Sequence, residues 1–222
     1  MSSKVEIVNL ALSSLGAKST ITDLDSDASV ESRQASLHYE QALKKALTAS
    51  YWSFATTWGT SALLSASPPK DWTYMYALPA NCLRVLGVVN AAGRVKKPKP
   101  FQRASYNGQI VLLTDTESPV WRYVFFNEDA TTYSPEFVDV VAAALAARLA
   151  MPLTRKRELA KEAAAAYKTA VAIASAADAN ENNQNGDPDY VPEWFQERGY
   201  NDGNTVYTTD ADGDIVTIPG NL

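Results

Sequence analysis

The chain contains one cysteine and one histidine, Cys82 and His38, among its 222 residues. A single cysteine cannot form an internal disulfide, and it excludes zinc sites built from several cysteines. Metal sites made of several histidines are excluded in the same way, unless a second chain contributes. Cys82 lies in a Leu- and Val-rich stretch, which is typical of a small buried hydrophobic residue rather than a nucleophile. We expect His38, which lies on a predicted helix, to be structural as well.

Motifs that carry chemistry are also missing from the sequence. Neither a GxxxxGK motif followed by Ser or Thr nor a GxGxxG motif occurs, so no phosphate-binding loop is indicated. Asp210, Asp212 and Asp214 alternate near the C-terminus, yet no glutamate follows at the position that would complete a calcium loop. No carboxylate pair is singled out as a general acid and base. We therefore expect a protein that is not an enzyme, with no catalytic residue, cofactor or metal.

No hydrophobic run approaches the roughly 18 apolar residues that a membrane-spanning helix needs. The closest stretch, residues 138–151, is alanine-rich and is interrupted by Arg148. The formal net charge of −5 argues against a chain that binds nucleic acid over its whole surface, although a local basic face is compatible with that total. We expect a chain made in the cytoplasm that has no membrane partner.

Apolar residues recur at helical spacing in two segments near the N-terminus. The first helix is predicted from Val5, Val8, Leu12 and Leu15. Gly16 is placed to stop it, because glycine readily adopts the left-handed conformation that follows many helices. A second helix is predicted to start at a cap within Ser26–Ser29 and to run to about Tyr51. Its predicted buried face consists of Ala35, Tyr39, Ala42, Leu43, Ala46 and Leu47.

Two further helices are predicted in the last third of the chain. Ser134 followed by Pro135 is a start signal, since serine caps a helix and proline fits its first position. Pro152 is expected to end this third helix. A longer, alanine-rich fourth helix is predicted from Thr154 to about Ala179. Because alanine-rich faces let helices approach closely, we expect the two to form an antiparallel pair that packs on the first two.

The middle third of the sequence has the two-residue period of β-strands. Strands are predicted at Trp58–Leu64, Tyr74–Leu78, Leu83–Val89 and Ile110–Thr114. Asn107 and Gly108 predict a hairpin turn, because both tolerate the positive φ angles of a type I′ turn. In Val120–Phe126 both faces are apolar except at Arg122, which indicates a strand covered on both sides.

Together these patterns predict an α+β fold, with an antiparallel bundle of about four helices, an inserted antiparallel β-domain and an extended C-terminal arm. Residues 1–55 and 133–180 are assigned to the bundle, 56–132 to the β-domain, and 181–222 to a linker and the arm. The linker is assigned because the sequence becomes rich in Asn, Asp and Gly after the fourth helix.

Trp52 and Phe54 lie where the helical period gives way to the strand period, and large rings can fill the wedge between a bundle and a sheet. An ordered set of further fragments accompanies this corner: Trp52–Ala55, Tyr76–Pro79, Cys82–Val85, Leu145–Leu153 and Asp178. Over roughly residues 3 to 180 the chain resembles the tail tubular protein A family of bacteriophages. Members of that family are head-to-tail adaptors, which sit between the portal and the tail.

The resemblance implies a structural virion protein of the tail or neck, without a cofactor. It implies a ring of twelve copies that docks on the portal protein, receives the tail nozzle protein and surrounds DNA that passes through without sequence readout. Two alternatives from other classes stay open at the level of sequence. One is a tail-borne hydrolase of cell-envelope peptidoglycan, and the other is a cytosolic DNA-binding protein.

Two groups of residues are candidates for contact with partners. The C-terminal arm carries aromatic residues on a segment that has no core of its own, which is typical of interface anchors. The alternatives are that the arm folds back onto its own domain or, as we expect, that it docks onto a neighbouring subunit or another protein. These predicted partner-binding residues are Tyr190, Trp194, Phe195, Tyr200 and Tyr207. The densest basic run could face DNA in the channel or form a solvated hairpin face. It consists of Arg94, Lys96, Lys97, Lys99 and Arg103.

Overall fold

A computed structural model of the chain describes residues 3–17, 20–24, 26–69, 71–89, 99–182, 205–209 and 215–219. Residues Met1–Asn182 form one unit and Asn183–Leu222 form a second. The described part of the first unit contains four α-helices and two three-stranded antiparallel sheets, which confirms the predicted α+β class. Within the second unit, two short strands pair with each other.

The helices are α1 (Lys4–Ser14), α2 (Val30–Leu47), α3 (Pro135–Thr154) and α4 (Arg157–Asn182). The strands are β1 (Thr56–Gly59), β2 (Tyr74–Ala77), β3 (Cys82–Val89), β4 (Phe101–Tyr106), β5 (Gln109–Thr114), β6 (Val120–Phe125), β7 (Thr205–Thr209) and β8 (Ile215–Pro219). Short 3-10 turns at Ser53–Ala55 and Ala130–Thr132 connect the helical and β parts. Each of the first three helices begins with a serine cap: Ser3, Ser29 and Ser134.

Helix α2 ends earlier than predicted, at Leu47 instead of about Tyr51. Side chains take over the hydrogen bonds that another helical turn would have made. The Thr48 hydroxyl donates to the Lys45 carbonyl oxygen at 3.3 Å, and the Trp52 indole N–H donates to the Ala46 carbonyl oxygen at 2.8 Å. Since these terminal carbonyls are satisfied, the chain can leave the helix and turn toward the sheet.

The prediction that Pro152 ends the third helix and that Thr154 opens the fourth was wrong. Helix α3 continues through Pro152 to Thr154, and α4 begins at Arg157. A proline in the last helical turn removes only one backbone hydrogen bond. The Thr154 hydroxyl donates to the Ala150 carbonyl oxygen at 2.6 Å, which adds a side-chain hydrogen bond to the last turn. The chain then reverses at Arg155, which adopts the left-handed conformation with φ +56°.

The first sheet has the strand order β1-β6-β3 and the second has the order β2-β5-β4. The predicted hairpin turn is confirmed, because Tyr106 pairs with Gln109 and both intervening residues, Asn107 and Gly108, have positive φ. The predicted strand Trp58–Leu64 is shorter in the structure. The chain leaves the first sheet after Gly59 and crosses to the second, where Leu63 bridges to Tyr76.

The central strand β6 is buried on both faces, as its sequence predicted. Val124 belongs to the large core that also contains the buried faces of the helices. Trp121 points the other way and belongs to a second cluster with Tyr76, Val88 and Leu112. A third cluster, formed by Met75, Val111 and Leu113, lies on the far side of the second sheet under the segment that carries Leu64 and Trp72. The layers are therefore helices, first sheet, second sheet and a covering segment.

Helix α3 lies at the centre of the helical layer and packs against α1, α2 and α4. It has a mean hydropathy of 1.6, and among the described residues it is the helix long and apolar enough to cross a membrane. More than half of that stretch is buried inside the protein, so packing against three helices accounts for its apolar surface. The predicted buried face of α2 is buried throughout, and Tyr167 and Ala174 bury one face of α4.

Gly16 follows α1 and Arg155 follows α3, and both have positive φ. Substitutions at these two positions should change the free energy of unfolding in opposite directions. Gly16 has φ +73° and open space around a built Cβ, so Gly16→Ala should lower the free energy of unfolding by about 1 kcal/mol through backbone strain alone. Arg155→Gly should raise it by about 0.5–1 kcal/mol, because glycine removes that strain. Urea unfolding followed by circular dichroism measures both, and equal shifts of the same sign would contradict the assigned backbone conformations.

Candidate interaction surface

The predicted aromatic anchors lie almost entirely outside the described residues. This applies to Tyr190, Trp194, Phe195 and Tyr200. Tyr207 lies in β7, where its backbone pairs with Thr217 of β8. The assignment of these five residues to partner binding stays a prediction.

The predicted basic patch is described only in part. Arg94, Lys96 and Lys97 lie outside the described residues, whereas Lys99 and Arg103 are exposed. The Arg103 guanidinium donates to the carbonyl oxygen of Leu83 at 3.4 Å, which ties β4 to β3. Arg103 thus has a local structural contact, and the proposed contact with DNA stays a prediction.

A different exposed surface lies on the helix-facing side of the first sheet, beyond the end of the helical cover. It consists of Tyr51, Trp58, Arg84 and Arg122, and we call it the arginine–aromatic surface. All four side chains are exposed, Tyr51 by 58% and Trp58 by 55%.

Strand register places these residues on one face. Arg122 pairs with Trp58 on β1 and with Gly87 on β3, while Val124, two residues along β6, pairs with Arg84. Alternate residues of a strand, and residues directly opposite each other, share a face. Val124 points into the helical core, so the side chain of Arg122 projects from the same side, where the helices no longer cover the sheet. A Cβ built on Gly87 meets no atom within 4 Å, which confirms that this part of the face is open.

Each arginine is held over an aromatic ring. The Arg84 guanidinium lies 5.1 Å from the centre of the Tyr51 ring and donates to the Thr48 carbonyl oxygen at 3.4 Å. The Arg122 guanidinium lies 5.8 Å from the centre of the Trp58 ring. Within the described residues neither arginine forms an ion pair. The surface therefore presents two oriented cations and two rings, and arginine, tryptophan and tyrosine are the residues that dominate binding at protein interfaces.

The corner predicted from Trp52 and Phe54 is an aromatic cluster in the structure. The centres of their rings lie 5.0 and 4.8 Å from the centre of the Phe137 ring at the start of α3. The centre of the Tyr133 ring lies 5.0 Å from the same point. The edge-to-face geometry is the favourable one for aromatic pairs. This cluster fixes the direction in which the chain leaves α2, and therefore the position of β1 and Trp58.

Asp178 near the end of α4 fastens the same corner. Its carboxylate accepts hydrogen bonds from the Ser53 backbone N–H at 3.1 Å and from the Ser53 hydroxyl at 2.6 Å. These two residues are 125 positions apart in sequence. We call these two hydrogen bonds the Ser53–Asp178 clasp. Ser53 lies between Tyr51 and β1, so the clasp helps to hold the arginine–aromatic surface against the helical layer.

Two buried tyrosines, Tyr39 on α2 and Tyr133 just before α3, illustrate how burial acts on polar groups. Burial, with a smaller contribution from Glu128, raises the pKa of Tyr39 to about 12. Its hydroxyl is buried and has no hydrogen-bond partner among the described residues. Burial raises the pKa of Tyr133 as well, and its hydroxyl donates to the Asn127 carbonyl oxygen at 2.7 Å. Both groups keep their protons at physiological pH, which suits a structural role.

The structure also shows where the residues considered for catalysis or metal binding lie. Cys82 is half-buried, and burial raises the pKa of its thiol, which disfavours the nucleophilic thiolate. His38 is half-buried on α2. A shallow depression open to solvent lies along α1, and its one carboxylate, Glu6, accepts a hydrogen bond from the Ser3 backbone N–H. Within the described residues, no group of three or more His, Cys, Asp or Glu side chains could hold a metal ion.

No protein-family model matches this chain, and no curated protein is significantly similar to it.

The arginine–aromatic surface was not found by sequence reasoning. One signal for it was present, because Arg122 is the single charge on a strand that is apolar on both faces. Its pairing with Trp58 depends on the order of strands that are far apart in sequence. The clasp between Ser53 and Asp178 was missed for the same reason, although both residues belong to the fragments that carry the family resemblance.

The clasp can be tested with a double-mutant cycle. Asp178→Ala and Ser53→Ala should each lower the free energy of unfolding by about 1 kcal/mol, because hydrogen bonds to a carboxylate are lost at a partly exposed site. The double variant should lose less than the sum, by at least about 0.5 kcal/mol. Additive losses in urea unfolding would contradict a direct interaction between the two side chains.

The buried tyrosines form a matched pair for the next test. Tyr39→Phe should leave the free energy of unfolding unchanged or slightly higher, because the removed hydroxyl has no partner among the described residues. Tyr133→Phe should lower it by about 1 kcal/mol, since the Asn127 carbonyl oxygen loses its donor. Similar losses in both variants would contradict the assigned contacts.

The raised pKa of Tyr39 predicts that the free energy of unfolding depends on pH. Folded Tyr39 keeps its proton up to about pH 12, whereas an unfolded tyrosine loses it near pH 10. The unfolded state therefore binds fewer protons in this range, and stability should fall as the pH rises above about 10. Tyr39→Phe should make that fall shallower, and an unchanged slope would show that Tyr39 is not protected from ionisation.

Proposed function

We propose that this chain is a structural head-to-tail adaptor of a tailed bacteriophage virion. Copies of it form a ring that joins the portal protein to the tail nozzle protein and surrounds the DNA exit channel. The ring contains twelve copies, as in the family that the sequence resembles. In this role the chain is a scaffold, not an enzyme, and it uses no cofactor.

One observation carries the proposal: two of the fragments on which the family resemblance rests, Trp52–Ala55 and Asp178, meet at one corner of the molecule. Trp52 packs against Phe137, Ser53 is bound by Asp178, and the sheet that starts there includes Arg84. Leu145 and Leu149 of α3 belong to the core on which this corner sits. A set of packing residues that is scattered in sequence and joined in space supports a common scaffold rather than a chance likeness of short motifs.

The exposed apolar residues support assembly into a ring. Leu37 on α2 is 67% exposed and Ile173 on α4 is 62% exposed, and the two helices are packed on α3 as separate neighbours. A closed ring needs two different patches on each copy, because each copy meets the next in a head-to-tail contact. Large apolar side chains on two separate helices meet that requirement.

Binding of DNA in the channel would need no sequence readout. Lys99 and Arg103 are exposed and can contact phosphates, together with the basic residues that precede them in sequence. The hydrolase alternative has less support, because glycoside cleavage needs two carboxylates in one cleft. The depression along α1 supplies only Glu6, which is engaged in capping its own helix.

The proposal is tested on virus particles and on the isolated chain. We expect mass spectrometry to find the chain in purified virions, and electron microscopy to show a ring of it between head and tail. Leu37→Glu should leave the free energy of unfolding within about 0.5 kcal/mol, since the side chain is exposed, while it reduces ring formation. Gln41→Glu adds the same charge at an exposed position one turn further along α2 and is the control.

Particles that lack the chain would end the proposal. A chain present in virions but located away from the neck would contradict the adaptor role. Clearing of peptidoglycan by the purified protein would favour the hydrolase instead.

A further inference from the structure

The arginine–aromatic surface has the composition of a protein interface and no assigned occupant. Its two guanidinium groups form no ion pair within the described residues, and each is already oriented over a ring. Arg84 lies one strand across and two residues along from Arg122, which separates their Cα atoms by roughly 8 Å. Such a pair can bind two carboxylates of one short segment at the same time.

The sequence of the chain itself contains a segment of the required charge. Residues 183–222 hold eight acidic side chains and one basic side chain, whereas residues 1–182 hold 17 acidic and 19 basic ones. The negative net charge of the protein therefore resides in its last 40 residues. Opposite charges on two parts of the chain are complementary, so one part of a copy can attract the other part of a second copy.

The acidic residues are densest between the two paired strands of that segment. Strands β7 and β8 are antiparallel, and Thr209 pairs with Ile215. The five residues that connect them, 210–214, include Asp210, Asp212 and Asp214. These five residues therefore carry three carboxylates. Two of them are enough to pair with Arg84 and Arg122, whose Cα atoms are roughly 8 Å apart.

We propose that the arginine–aromatic surface of one copy binds residues 210–214 of a second copy. Carboxylates of the connection pair with Arg84 and Arg122, and the rings of Tyr51 and Trp58 cover the apolar atoms beside them. The contact joins two different patches, so it is of the head-to-tail kind that builds rings. The inference deepens the proposed ring and rests on it, since it names one of the contacts between neighbouring copies.

A charge-swap experiment on the full-length protein tests this contact. The first variant combines Arg84→Glu with Arg122→Glu, and the second combines Asp210→Lys, Asp212→Lys and Asp214→Lys. In each variant the two patches carry charge of the same sign, so self-association should weaken at least about tenfold. In an equimolar mixture the negative connection of the first variant meets the intact arginines of the second, and association should return.

Sedimentation velocity over a range of protein concentrations measures the association. The wild type should associate, and its association should weaken as salt is raised. The control matched to the first variant, Lys156→Glu with Lys168→Glu, changes the charge by the same amount as that variant at exposed positions of the α3–α4 turn and α4, and should associate as the wild type does. Gly87→Val places a side chain in the open space beside Arg122 without a change of charge, and should weaken association as well.

Recovery in the mixture, with both single variants impaired, would establish contact between copies. A mixture that stays monomeric, a wild type that never associates, or variants that associate as the wild type does would overturn the proposal. Because the assay uses purified protein, such a failure leaves the location of the chain in virions to be decided by the particle experiments. Absence from virions would remove the adaptor role and leave the measured contact between copies in place.

Discussion

The structure depends on one strand that is buried on both faces. On one side of β6, Val124 enters the helical core, and on the other side Trp121 enters the core between the two sheets. The Trp121 indole N–H also donates to the Ser61 hydroxyl at 2.9 Å, on the segment that crosses from one sheet to the other. A strand with apolar residues on both faces cannot be exposed without the loss of both cores, so β6 couples the helices to the sheets.

The position of the candidate interaction surface follows from where the helices stop covering β6. The helices cover β6 at Val124 but not at Arg122, two residues earlier, and Arg122 meets solvent beside Trp58. The aromatic corner and the Ser53–Asp178 clasp fix how far the helices extend over the sheet. The candidate interaction surface is therefore a consequence of packing.

Local patterns were enough to predict much of the fold. Serine caps, the Gly16 stop, the Asn107–Gly108 turn and the two apolar faces of β6 were all identified from the sequence, because each depends on residues close together in the chain. The ends of α2 and α3 were not predicted, since the Trp52 indole and the Thr154 hydroxyl donate to helix carbonyls in ways that helix propensity does not contain. The pairing of Arg122 with Trp58 depends on strand order, which no local pattern specifies.

Native-state hydrogen exchange tests most directly whether β6 couples the helical layer to the sheets. If it does, the slowest amides of β6 and of α3 exchange with the same free energy of opening, equal to that of global unfolding, and Val124→Ala lowers both together. Amides of the two sheets that open at a distinctly lower free energy, while α3 stays protected, would contradict this coupling. In that case the surface at Arg122 would lie on an independent unit rather than on a single scaffold.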